Sequence, residues 1–227
     1  MSAPLPGKGL LRPLQKAFLA LFARIPDQSQ FYLTGGTALA EYYLGHRLSL
    51  DLDLFTAVDG LILPVSYQVE KLGATAGLPV TPVRRFATYV EFLVGDGQES
   101  LRVDLGLDSP YRFAPPVLSS YGVWVNDYDD LRVDKLLAYY GRAEPRDAVD
   151  LYFILQREPA RPLLEQAKQK DPGFDLYWFA VALRRCATFP DEAERWPVRM
   201  LVPWQPTEIK RTFLEWSLAI IAEMAAG

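Results

Sequence analysis

Polar and apolar residues alternate one by one from Arg47 to Leu54, reading Arg-Leu-Ser-Leu-Asp-Leu-Asp-Leu. A strand has a side-chain period of two, so Arg47, Ser49, Asp51 and Asp53 share one face and Leu48, Leu50, Leu52 and Leu54 the other. A helix would scatter both sets, and the pattern predicts one unbroken strand. Ser100 to Leu107 alternates in the same way, with Arg102 and Asp104 opposite Leu101, Val103 and Leu105. Each strand has one apolar and one charged face. The apolar faces should pack on helices and leave the charged faces to line a cleft.

Shorter signals predict strands over 31–34 and 88–94, with Gly35-Gly36 breaking the first. Helical spacing marks 13–24, where Leu14, Phe18, Leu21 and Phe22 recur, and then 37–44 and 61–75. From Asp129 onward the helical segments are 129–140, 145–156, 174–187 and 206–226, and Pro145 suits a first helical turn. Phe174, Tyr177, Trp178 and Val181 have helical spacing and read as packing residues. The run from Trp196 to Trp204 reads as core, with an interaction surface as the alternative. The predicted organisation is an α+β chain with a mixed sheet packed by helices over residues 1–125 and a helical domain over 126–227.

Composition narrows the chemistry. Among 227 residues there is one histidine, His46, and one cysteine, Cys186. That excludes multi-histidine and multi-cysteine metal sites and an internal disulfide framework, and it leaves little room for a Ser-His-Asp triad. A reducing compartment follows, and no disulfide-linked partner is expected. No apolar run reaches the roughly 18–20 residues of a membrane span. The Pro- and Gly-rich start MSAPLPGKGLLRP lacks a signal peptide's apolar core, so a cytoplasmic location is expected. The 24 Lys and Arg against 28 Asp and Glu give a net charge of −4, which argues against a broad nucleic-acid binder. Carboxylates must carry any catalysis.

Asp51 and Asp53 aim two carboxylates at one place, where they would repel each other unless a cation intervenes. Hard oxygen ligands suit Mg²⁺ or Mn²⁺, and Asp104 is a candidate third ligand. Three carboxylates can hold two ions for phosphoryl or nucleotidyl transfer. The alternatives are a pair of surface aspartates on an edge strand and a glycosyltransferase D-x-D motif. An EF-hand is excluded, because Phe55 and Thr56 stand at the fifth ligand and obligatory glycine positions. Upstream, Gly35-Gly36 lies between a strand and a helix, where bare N–H groups can hold a phosphate or where the chain makes a plain turn. Thr34 or Thr37 can cap that helix or touch phosphate.

Gly35-Gly36-Thr37 followed by Arg47-x-Ser49-x-Asp51-x-Asp53 resembles the signature of the AbiEii/AbiGii nucleotidyltransferase toxins. That family lies in the polymerase-beta-like nucleotidyltransferase superfamily and acts in type IV toxin–antitoxin and abortive-infection systems. The resemblance continues in Asp104, in Asp134-Lys135 and in Arg142-x-x-x-Arg146-Asp147-x-x-Asp150-Leu151-Tyr152, so it spans 31–155. It implies metal ligation by Asp51, Asp53 and Asp104, and nucleotide binding by Gly35, Gly36, Thr37, Arg47, Ser49, Lys135 and Arg146. Asp147 would be a catalytic-site carboxylate. Each residue also has a plainer reading. Lys135 can be a solvated lysine, Arg146 and Asp150 an intrahelical ion pair, and Arg47 a neutraliser of nearby carboxylates. His46 carries no assigned chemistry.

The expectation is therefore a Mg²⁺- or Mn²⁺-dependent enzyme that moves a nucleoside monophosphate from an NTP to an acceptor. The resemblance suggests RNA, including tRNA, as acceptor and a separately encoded antitoxin as partner. Arg84-Arg85 and Arg184-Arg185 are candidate contacts to such an acceptor or simply solvated faces. Two other readings are nucleotidylation of a small molecule such as an aminoglycoside and a non-catalytic nucleotide-binding module.

Overall fold

The computed structural model describes residues 3–226 and divides into two compact units, Met1–Tyr128 and Asp129–Gly227. In the first, α1 (Pro13–Phe22) precedes β1 (Tyr32–Thr34), which runs straight into α2 (Gly35–Ala38) and a wider π-type turn over Leu39–Leu44. Then follow β2 (Arg47–Leu48), β3 (Leu52–Thr56), α3 (Ile62–Ala76), β4 (Val80–Phe86), β5 (Tyr89–Val94), β6 (Leu101–Leu107), β7 (Val117–Leu118) and β8 (Trp124–Val125).

A seven-stranded mixed sheet orders these as β4-β5-β6-β3-β1-β8-β7. β3 is parallel to β6 and β1 to β8, and the other pairings are antiparallel. The alternation predicted for β3 and β6 is what makes the core. Leu52, Val103 and Phe92 align across three strands, as do Leu54, Leu105 and Val90, and all six are fully buried. Each contributes about 1.5–3 kcal/mol through removal from water. α3 packs against β4, β5 and β6, and α1 against α3.

The single strand expected over Arg47–Leu54 is instead two, β2 and β3, with 49–51 outside any strand. The physical reason is an alternative set of hydrogen bonds. The buried Gln15 amide donates to the Ser49 carbonyl at 3.0 Å and the Leu50 carbonyl at 3.3 Å, and the Arg12 guanidinium donates to Leu50 at 3.1 Å. The Thr37 hydroxyl donates to the Asp51 carbonyl. Backbone acceptors served by side chains need no neighbouring strand. Leu50 accordingly lies 43% exposed, unlike the other leucines of the alternation that enter β3.

The second unit is helical: α4 (Tyr128–Arg142, entering from the last residue of the first unit), α5 (Pro145–Leu155), α6 (Ala160–Lys170), α7 (Leu176–Arg184) and α8 (Pro206–Ala226). α7 packs along α8, which also meets α5. Tyr139 stacks edge-on against Phe213, and Phe174 against Tyr140. Of the run from Trp196 to Trp204 only Trp196 is buried, in ring contact with Phe189 and Trp204; Leu201 is 48% exposed, so the run as a whole is not core. Only Phe174 of the aromatic set on and before α7 is buried; Tyr177, Trp178 and Val181 are exposed, so their helical spacing does not signal packing. Among the described residues, no helix is long and apolar enough to cross a membrane.

Candidate active site

The polar face of the sheet has a row of side chains in register across five strands: Thr34 on β1, Asp53 on β3, Asp104 on β6, Glu91 on β5 and Arg84 on β4. Asp53 and Asp104 are direct partners on parallel strands, so two carboxylates stand side by side at the centre of the sheet. β6 supplies Asp104 through the same alternation that buries Val103 and Leu105 beneath it.

Gly35 closes one side of this pair. Its φ of +68° is a left-handed conformation that glycine adopts without strain, and a Cβ added there would overlap Asp53 Oδ2. Gly36 performs the same service for a second pair: a Cβ would stand 2.5 Å from Arg47 Nη2 and 2.9 Å from Ser49 Oγ. The two glycines are thus required first by the side chains of the site itself. Arg47 is buried, and its Nη1 donates to the Leu48 carbonyl at 3.1 Å. Thr37 is buried too, and its bond to the Asp51 carbonyl ties α2 to the residue that precedes β3.

Asp104 is not alone with Asp53. The Arg102 guanidinium, two residues earlier on β6, donates Nη2 to Asp104 Oδ2 at 2.7 Å and Nε to both oxygens at 3.2 Å. This hydrogen bond is the main cause that holds Arg102 charged, burial opposes it, and the negative charge of Asp51 adds to it. Tyr89 on β5 has its phenol pushed up to about 12, by burial first and then by the charge and hydrogen bond of Asp104. Arg102, Tyr89 and Glu91 are the site neighbours that sequence reasoning did not single out. Arg102 was visible as a member of the same face as Asp104, but spacing alone does not say that its fork turns back along its own strand.

Among the described residues, no three His, Cys, Asp or Glu side chains form a group able to hold a metal ion. Asp53 and Asp104 nonetheless fit the hard cation that such chemistry needs, since Mg²⁺ commonly takes one or two carboxylates and completes its shell with substrate phosphates and water. Asp51 lies just before β3, half-buried.

The remaining predicted residues belong to the second unit. Lys135 on α4 is buried and pairs with the fully buried Asp150 of α5 at 2.9 Å. Asp147 is also fully buried, with both oxygens on the Arg142 fork at 2.6 and 2.8 Å. Arg146 pairs with Glu144 at 2.9 Å. The lysine is therefore no solvated surface group.

A family model described as nucleotidyl transferase AbiEii toxin, type IV TA system, matches residues 17–172. The chain belongs to this family. Like other AbiEii proteins it is a nucleotidyltransferase, and the match spans both the glycine–aspartate segments of the first unit and the Lys135–Asp150 helices of the second. Its fold is shared with solved structures of low identity. MenT4, a nucleotidyltransferase toxin from Mycobacterium tuberculosis H37Rv, superposes with a TM-score of 0.59 at 17% identity, covering 92% of this chain and 81% of that one. JHP933 from Helicobacter pylori superposes with a TM-score of 0.56 at 16% identity, covering 94% and 91%. No curated protein matches the chain by sequence. The sheet with a helical C-terminal part is the nucleotidyltransferase fold expected from the sequence.

Proposed function

We propose that this AbiEii protein is a Mg²⁺- or Mn²⁺-dependent toxin that transfers a nucleoside monophosphate from an NTP to RNA, including tRNA ends, and is opposed by a separately encoded antitoxin. The observation that carries the reading is the registered pair Asp53 and Asp104, set against Gly35 at the centre of the sheet.

Asp53 and Asp104 would hold the divalent ion, with Asp51, two residues before Asp53, as the third ligand that the family resemblance implies. Bound there, it would neutralise the carboxylates and stabilise the charge that develops as pyrophosphate departs. The chain's own residues do the positioning. Gly35 and Gly36 let the backbone approach Asp53, Arg47 and Ser49 closely, and Thr37 anchors Asp51 through its carbonyl. Arg47 and Ser49 act as the phosphate contacts of this cluster. Lys135 and Arg146 take the triphosphate-binding roles implied by the family resemblance. Asp147 has both oxygens engaged by Arg142, which supports a positioning role rather than removal of a proton from the acceptor.

The test is incubation of the protein with labelled NTPs, total RNA and Mg²⁺, beside Asp53→Ala. Label on RNA with wild type, lost in the variant at unchanged circular dichroism, supports the reading. Label on an aminoglycoside but not on RNA would move the acceptor to small molecules. NTP binding with no transfer to any acceptor would leave a non-catalytic module.

A further inference from the structure

We propose that Arg102 is an internal counter-cation that clasps Asp104 when no metal is bound and must release it before that carboxylate becomes a metal ligand. The proposal rests on the metal-carboxylate reading above and adds a competitor to it.

The argument begins with repulsion. Asp53 and Asp104 are neighbours across two parallel strands, and Asp51 precedes Asp53 by two residues, so unscreened carboxylates crowd one part of the sheet face. The ladder starts at Leu52↔Val103, directly after Asp51 and Arg102, and the negative charge of Asp51 acts on the Arg102 guanidinium. The guanidinium therefore lies on the same face as both aspartates and answers their charge from within the chain.

The way it is held makes it displaceable. Arg102 meets Asp104 through a fork, with Nη2 at 2.7 Å and Nε at 3.2 Å, and a fork of this kind is stronger and more specific than a point charge. Asp104 is 6% exposed, whereas the Arg102 side chain is 45% exposed. The carboxylate thus stays in place while the arginine has solvent into which to turn. Since the two residues are on one strand, side-chain rotation alone separates them, and β6 keeps its pairings with β3 and β5. The fork engages both Asp104 oxygens, the same atoms that a divalent cation would need, so metal and arginine compete for one carboxylate.

Mn²⁺ binding to the nucleotide-free full-length protein, followed by electron paramagnetic resonance and calorimetry, tests this without any turnover. Arg102→Gln removes both charge and fork, and Arg102→Lys keeps the charge but not the fork. Both should bind Mn²⁺ about tenfold more tightly than wild type, the scale of one charge-assisted hydrogen-bonded pair. Both should also gain more thermal stability from added Mn²⁺ than wild type does. If Arg102→Lys binds like wild type while Arg102→Gln binds more tightly, net charge alone is responsible and the clasp is overturned. If wild type binds Mn²⁺ in an Asp53-dependent manner and neither Arg102 variant differs from it, the clasp fails while the metal reading stands. If Mn²⁺ binding is absent, or indifferent to Asp53→Asn, the metal reading itself fails and takes the clasp with it.

Discussion

Gly35 and Asp53 are packed so closely that the carboxylate of Asp53 occupies the space where a Cβ on residue 35 would be. Gly35→Ala therefore does two things. It places a non-glycine residue at φ +68°, which costs about 1–2 kcal/mol, and it pushes Asp53 away from its registered position beside Asp104. Misplacing a catalytic group by an ångström can cost about 100-fold in rate. We expect metal-dependent pyrophosphate release to fall by about that factor, while the protein remains folded by circular dichroism. Wild-type turnover in this variant would separate Gly35 from the carboxylate site.

Lys135 needs a different kind of test. It is buried against Asp150, which has no exposed surface, and an aspartate left there without its lysine retains a desolvated charge. Lys135→Ala should lower the unfolding free energy by about 3–5 kcal/mol in denaturant titrations. Lost activity in that variant would say nothing about triphosphate binding. Lys135→Arg keeps a cation for Asp150 and should recover most of the stability. If it also recovers transfer, charge is the requirement. If it remains stable with a raised KM for NTP, the compact ammonium is needed for the nucleotide. Unchanged stability in Lys135→Ala would refute the buried pair.

The sheet core was legible because β3 and β6 use period-two alternation, and a single burial rule then selects the face that holds Asp53 and Asp104. The family resemblance supplied the remaining segments. What the sequence hid was long-range: β4 with its Pro82 bulge and the short β7 and β8 lack a strong period, while α6 has helical spacing but few apolar residues to announce it. The break at 49–51 was hidden for a different reason. Leu50 continues the alternation perfectly, yet the partner that replaces the ladder, Gln15, is 34 residues away from Ser49. Arg102 was on the right face in the sequence, but its contact with Asp104 depends on a side-chain rotamer and not on spacing.

Cys186 gives a pH-dependent probe of the helical unit. Burial pushes its thiol up to about 11, with Lys210 pulling in the opposite direction, and the residue is 1% exposed. The thiolate is the reactive form. Iodoacetamide should therefore label native protein far more slowly at pH 8 than it labels protein in denaturant. The sign for stability follows from the folded value lying above the ordinary 9.0: the contribution is full below about pH 9 and is lost as pH rises through about 11. Rapid native labelling at pH 8 would show that the thiol is accessible and its ionisation ordinary.

Gln15 ties the first helix to the site through the backbone of Ser49 and Leu50. Its Oε1 accepts from the Arg12 N–H at 2.9 Å, while its Nε2 donates to the carbonyls of Ser49 and Leu50. Gln15→Met keeps the length of the side chain and its burial but supplies no polar atoms for those groups. Each buried acceptor left unmatched costs about 1–3 kcal/mol, partly recovered where water reaches 49–51. We expect a loss of about 2 kcal/mol in unfolding free energy, within that range. Asp51 follows this segment directly and Asp53 lies inside β3, so Asp51 should move while Asp53 keeps its ladder. Gln15→Met should then weaken Mn²⁺ affinity less than Asp53→Asn does, and more than a control substitution on the exposed side of α1, such as Lys16→Ala. If its Mn²⁺ affinity equals that of wild type despite the stability loss, the geometry of 49–51 does not govern how Asp51 is presented, and Gln15 serves the fold alone.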